Sequence, residues 1–180
     1  GMNIPMVVRQ IGLLLLLLSA ALLVHAGVAA GYWAAGDAAE EAAVWAFLTA
    51  SGIAAVVGAF GMMRYRNAVN EIGRRDACLL VVLSWLIGGL VAAIPFASWS
   101  MYCPLPEAAM LDGVIDPIFE AMSGLTTCGA TILTDIEALP RSVLLWRSTI
   151  QWIGGLGVIV IFVAILPSLG SGGKKMYLTE

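Results

Sequence analysis

Gly124-Leu125-Thr126-Thr127-Cys128-Gly129-Ala130-Thr131 is a threonine and glycine run set between two apolar segments. Ahead of it, Asp116-Pro117 reads as a helix start. The Asp can accept from free N–H groups of the first turn, and Pro supplies a helical φ while lacking an N–H itself. Ile118, Phe119, Ala121, Met122 and Leu125 continue an apolar face, and Gly124 ends the run. A helix over 117–124 rises only about 12 Å, too little to cross the roughly 30 Å of bilayer hydrocarbon. It either lies on a surface as an amphipathic helix with a threonine-rich turn, or dips into the membrane and returns. Backbone that is not helical is tolerated at membrane depth only where protein buries it or water lines it. Residues 126–131 have the composition for such backbone: Gly129 opens dihedrals closed to other residues, and the threonine hydroxyls add oxygens. A dipping helix also aims its C-terminal carbonyl dipole inward, a field that favours a cation.

The surrounding chain supplies the membrane. Its 180 residues are 61% hydrophobic and 12% charged, far from the balance of a soluble domain. Four segments, 11–30, 42–63, 77–99 and 143–166, approach the roughly 20 apolar residues a spanning helix needs. Segment 11–30 is longer than the hydrophobic part of a signal peptide and leads into further spans, so it reads as a span. Gly1 ahead of Met2 reads as a remnant of tag removal. Arg9, the group Arg64, Arg66, Arg74 and Arg75, and the pair Lys174 and Lys175 fall on one side if the chain crosses at every span. Asp37, Glu40 and Glu41 fall on the other. The excess of positive charge on cytoplasmic loops therefore predicts cytoplasmic termini.

Several function classes are excluded. A net charge of −3 argues against nucleic acid, which needs a concentrated basic face. Cys78, Cys103 and Cys128 have neither disulfide nor zinc-site spacing. His25 has no acid or nucleophile at useful spacing, so no catalytic constellation is visible; a helix-packing hydrogen bond is its expected role. Arg141 and Arg147 fall near the outer end of the fourth span, where snorkelling to the headgroups weighs at least as much as a functional role, and Trp33, Trp45, Trp99 and Trp146 are expected to form an interfacial belt. Gly52, Gly58, Gly61, Gly88 and Gly89 are expected at close helix contacts. Gly154-Gly155-Leu156-Gly157 lies inside an apolar span, so close packing or a flexible point is expected there and not a nucleotide loop. Asp112, Asp116, Glu120, Asp135 and Glu137 gather on the outer side, either as a solvated rim or to raise the local cation concentration.

The order of membrane helix, short helix, Thr126-Thr127-Cys128-Gly129-Ala130-Thr131, then a helix carrying Trp146-Arg147-Ser148 and Gln151-Trp152-Ile153-Gly154-Gly155-Leu156-Gly157 resembles the Trk/Ktr/HKT superfamily of potassium transporters. It is most similar to the bacterial TrkH-type membrane subunit. The resemblance implies an all-α integral membrane fold with a leading transmembrane pair and an Arg-rich cytoplasmic loop over 1–76. A first pore repeat follows over 77–180, with pore helix 113–125, capped by Asp116, and filter 126–131. It further implies that main-chain carbonyls of Thr127, Cys128 and Gly129, with Thr126 and Ala130 at the margins, replace the hydration shell of potassium. Cys128 would contribute backbone, not thiol chemistry.

No cofactor is expected in this chain beyond potassium as the transported ligand. The implied partners are membrane lipid, the remaining pore repeats and cytoplasmic nucleotide-binding regulatory subunits, in a bacterial inner membrane. Members of that type carry four repeats around the pore, and this chain holds one. It is therefore expected to be the N-terminal part of a longer protein, with a four-copy assembly as the alternative. Gly129 is the filter residue associated with potassium preference in that superfamily. A rival reading is a structural or assembly subunit in which the threonine and glycine turn merely packs.

Overall fold

The computed structural model describes residues 2–68, 73–104 and 106–174. Helices α1 (Ile4–Ala34), α2 (Glu40–Arg64) and α3 (Arg74–Tyr102) come first; a 3-10 turn (Pro106–Leu111), the short α4 (Ile115–Leu125) and α5 (Arg141–Lys174) follow. No strand occurs among the described residues. Helices α1, α2 and α3 are long and apolar enough to cross a membrane, and the fourth expected span falls within α5. The side chains of Arg74, Lys174 and Lys175 lie outside the described residues, as does the chain end at Leu178, Thr179 and Glu180.

The four long helices extend beyond the spans expected from hydropathy, and at the starts of α1 and α3 polar contacts past the apolar core organise the extension. The Asn3 side chain accepts from the Met6 N–H at 3.3 Å and starts α1. At the start of α3, Asp76 accepts from the N–H of Gly73 at 3.1 Å and from that of Asn3 at 2.8 Å. This carboxylate thus ties the first turns of α1 and α3 together. Helix α3 ends at Tyr102, just before Pro104, as expected where a proline restricts the preceding residue.

The α1–α2 pair is an antiparallel hairpin whose backbones nearly touch. A methyl group added at Gly12 would lie 2.7 Å from the Gly58 carbonyl oxygen, and one added at Gly58 would lie 2.8 Å from that of Gly12. Higher in the hairpin, Ser19 and Ser51 each donate to the other's carbonyl at 3.0 Å. Small residues at the seam permit this approach, since packing and not water exclusion holds helices together in lipid. Gly61 also meets α1, whereas a Cβ at Gly52 would meet nothing.

Helix α4 lies between α3 and α5. Gly89 of α3 leaves room for the Met122 sulfur, and Gly124 of α4 for the Ile150 side chain. Gly88, expected at a contact, faces open space. Trp99 and Trp146 do not join an interfacial belt: they are 1% and 0% exposed and pack in the core with Phe47 and Phe96. The Trp146 indole donates to the Ala92 carbonyl at 3.0 Å, which gives its polar edge a partner inside the bundle.

Gly58→Val forces the α1–α2 backbones apart. The expected cost is about 1–3 kcal/mol, the usual range for overpacking. It should appear as a lower thermal midpoint in detergent, while Gly52→Val, at a site with open space, leaves the midpoint near that of the parent.

Candidate functional site

Helix α4 and the loop after it form one hydrogen-bonded unit. The N–H of Thr127 donates to the Gly124 carbonyl at 2.9 Å, and that of Cys128 to the Ser123 carbonyl at 3.0 Å. These two bonds are the Schellman closure of a helix C-terminus. The residue that must turn left-handed in this closure is usually glycine; here it is Thr127, with φ 59°. A β-branched residue in that region is strained, and such strain gathers at functional sites. The N–H of Thr126 bonds Met122 at 2.9 Å and that of Gly129 reaches Ser123 at 3.3 Å. Gly129 itself has φ 72°, so the expectation that this position needs glycine's freedom is met.

The consequence lies with the other half of each peptide. Four successive N–H groups, from Thr126 to Gly129, turn back onto the end of α4. Among the described residues nothing donates to the carbonyl oxygens of Thr126, Thr127, Cys128 or Gly129. All four residues are exposed.

The return leg is held differently. The Ser123 hydroxyl donates to the Ala130 carbonyl at 2.5 Å. Glu120, buried in α4, accepts from the Thr131 hydroxyl at 2.6 Å and from the Ile132 N–H at 2.8 Å. Its second oxygen accepts from Nε of Arg147 at 3.1 Å and pairs with Nη2 at 3.0 Å. Glu120 thus joins α4, the return leg and α5 through one carboxylate. Behind the loop these groups line a polar cavity of about 180 Å³, together with Ser148 and Gln151.

Depth follows from the contacts of Leu125. A methyl group at Gly154 would lie 1.9 Å from the Leu125 carbonyl oxygen, so the end of α4 rests directly on the α5 backbone. Gly154 lies thirteen residues into α5, about 20 Å along its axis. The short helix therefore brings the loop to the middle of the long helices and not to their ends. Packing, the first of the two roles expected for this glycine cluster, is what Gly154 does.

Three expectations are corrected: the cap of α4, the start of that helix and the outward snorkel of Arg147. Asp116 does not cap α4: the helix starts at Ile115, its cap position is Val114, and no side chain bonds there. Gly113, at φ 68°, turns the chain so that helical geometry begins before Asp116. The same turn shortens the helix expected over 113–125. Asp116 falls in the first turn, where its charge still suits the helix dipole. Arg147 does not snorkel outward but pairs with Glu120; Arg141, exposed at the first residue of α5, sits 5.5 Å from the centroid of the Tyr32 ring. His25 makes the expected packing bond, with Nε2 3.0 Å from the Thr149 hydroxyl.

Long apolar helices around a short helix and a mid-depth loop define an all-α integral membrane protein. The chain belongs to the TrkH family, described as cation transport proteins, whose model matches residues 46–180. It is similar to the Trk system potassium uptake protein TrkH of Halomonas elongata, 38% identical over 183 residues, covering 99% of this chain and 34% of that protein. Against the protein of the same name in Escherichia coli it is 35% identical over 179 residues, again 99% and 34% of the two chains. Against TrkG of Escherichia coli it is 34% identical over 141 residues, 78% and 27% of the two. The chain spans about a third of the length of the TrkH relatives it matches. The resemblance in element order is thus a family relationship, and the family is one of transport, not catalysis.

Glu120→Ala strands the Arg147 guanidinium and frees the return leg. Removing one partner of a buried pair costs about 3–5 kcal/mol, so the thermal midpoint should fall sharply. Removing Arg147 as well should recover part of the loss, measured as a double-mutant cycle.

Proposed function

We propose that residues 126–131 form one quarter of a potassium-selective filter in a potassium uptake protein of the bacterial inner membrane. The observation that carries this is the row of four carbonyl oxygens, Thr126 to Gly129, to which nothing among the described residues donates. Unpaired backbone at membrane depth is costly unless protein or water meets it. A partly dehydrated monovalent cation is a suitable partner, because neutral dipoles bind it without the trapping a full charge brings. The carbonyls of Thr127, Cys128 and Gly129 are the proposed ligands, with Thr126 and Ala130 at the margins. The C-terminal dipole of α4 adds a field of the right sign. Potassium is the ion because the relatives are named as potassium uptake proteins.

In this reading 1–76 is a leading helix pair with a basic cytoplasmic loop and 77–180 is the first pore repeat, both termini facing the cytoplasm. One row of carbonyls cannot enclose an ion. Three further rows complete the ring, from the rest of a longer chain or from other copies, and the relatives' threefold greater length leaves room for the first. Other components of a Trk system, with nucleotide-binding regulatory subunits on the cytoplasmic side, complete the assembly. The rival, a structural subunit whose turn merely packs, leaves the same four oxygens without a partner.

The test is growth at limiting potassium of a strain lacking its own uptake, complemented by the full-length protein or its Gly129→Ser variant. The parent should rescue growth and the variant should lose rescue or its preference for potassium over sodium. Equal rescue with equal preference removes the filter role.

A further inference from the structure

The polar groups buried between the leading hairpin and α5 have no part in the filter as described so far. We propose that the α1–α2 hairpin is a clamp that sets the position of α5, and through α5 that of loop 126–131, with Glu40 and His25 as its positioning residues. This rests on the filter reading above.

Helix α5 has two working faces. Ser142, Trp146 and Thr149 are spaced to share one of them. Arg147, Ile150 and Gly154 share another, turned by roughly a quarter to a third of a circle. The second face holds the loop unit: Arg147 grips Glu120, Ile150 fills the space left by Gly124, and Gly154 receives Leu125. The first face meets the hairpin. Glu40, at the start of α2 and 0% exposed, accepts from the Ser142 N–H at 3.1 Å through Oε1. Its Oε2 accepts from the Ser142 hydroxyl. A carboxylate from another helix thus serves the first turn of α5, where free N–H groups and the positive end of the dipole lie.

Deeper in the bundle, His25 repeats the pattern. Its Nδ1 lies 2.8 Å from the Ala21 carbonyl, which can only accept, so Nδ1 carries a proton. Nε2 then meets the Thr149 hydroxyl, whose other neighbour is the Leu145 carbonyl at 2.9 Å. The Trp146 ring packs edge-on to His25 at 5.1 Å between centroids, and Phe47 of α2 touches both rings, 5.6 Å from His25 and 6.2 Å from Trp146. Two directional contacts, seven residues apart on α5, fix both its rotation and its height.

Apolar packing would hold these helices together as well or better, since buried polar groups add little net stability. What directional bonds add is register. A rotation or slide of α5 would carry Arg147 and Gly154 with it, and so move the carboxylate and the carbonyl that seat the loop.

Full-length protein carrying Glu40→Ala, Ser142→Ala or Thr149→Val is compared with the parent and with Gly129→Ser. The readouts are potassium uptake kinetics, inhibition by sodium, membrane abundance and thermal midpoint. Glu40→Ala and Thr149→Val should raise the KM for potassium about tenfold, the scale on which partners behind an ion's ligands act, with a smaller change in maximal rate. Glu40→Gln, which keeps an acceptor for the Ser142 N–H, should restore most of the affinity. Normal KM and sodium inhibition in Glu40→Ala and Thr149→Val, both at parental abundance, overturn the clamp even if the midpoint falls. Should Glu40→Ala fail to accumulate, unchanged kinetics in Ser142→Ala and Thr149→Val overturn it. If Gly129→Ser leaves ion preference untouched, the filter reading fails instead; if Gly129→Ser shifts preference and the clamp variants do not, the filter stands and the clamp falls.

Discussion

The structure depends on how the end of α4 is closed. A helix end leaves carbonyls without partners, and these must be met by something. Here the following four N–H groups meet them, and the unsatisfied condition is passed on to the next four carbonyls in the chain. In water this would matter little. In the filter reading proposed above, the contact of Leu125 with Gly154 holds these carbonyls at membrane depth, where backbone without a partner is costly. The helix end and the carbonyl row are one feature seen from two sides.

Helix α5 links everything else to that feature. It offers a glycine to the carbonyl of Leu125, an arginine to Glu120, and on a different face a serine and a threonine to the leading hairpin. The buried carboxylates Glu40 and Glu120 both stabilise it by charge and hydrogen bonds, one at its first turn and one at its second. Neither is an element of the apolar core, and both are almost wholly hidden from solvent.

Hydropathy made the spans legible, because about twenty apolar residues in lipid admit few structures other than a helix. Their ends were less so. Asn3, Asp76 and Gly73 extend α1 and α3 through polar contacts that no apolar window detects. The loop was legible as special backbone from Gly129, but the strained residue Thr127 was not, since any residue of a Thr-Thr-Cys-Gly run could have taken the left-handed turn. Glu120 and Arg147 looked like an outer acidic rim and a snorkelling cation. Their pairing joins residues 27 apart across an irregular loop, beyond the reach of helical spacing rules. The signal that could have found it was an arginine inside an otherwise apolar helix, which needs an acidic partner somewhere. Gly154 was recognised as a packing residue, but its partner, a backbone carbonyl, leaves no trace in sequence.

The Ser19–Ser51 contact has a consequence for the order of assembly. It joins residues 32 apart, whereas the Glu40–Ser142 and His25–Thr149 contacts join residues 102 and 124 apart. During synthesis the first hairpin can close as soon as α2 has emerged, while the chain still lacks α5. Closing a short loop costs less entropy than closing a long one, so the hairpin is the natural nucleus. Helix α5 then arrives after the hairpin, at a surface already shaped to receive it, and a newly made chain has its mould before it has its casting.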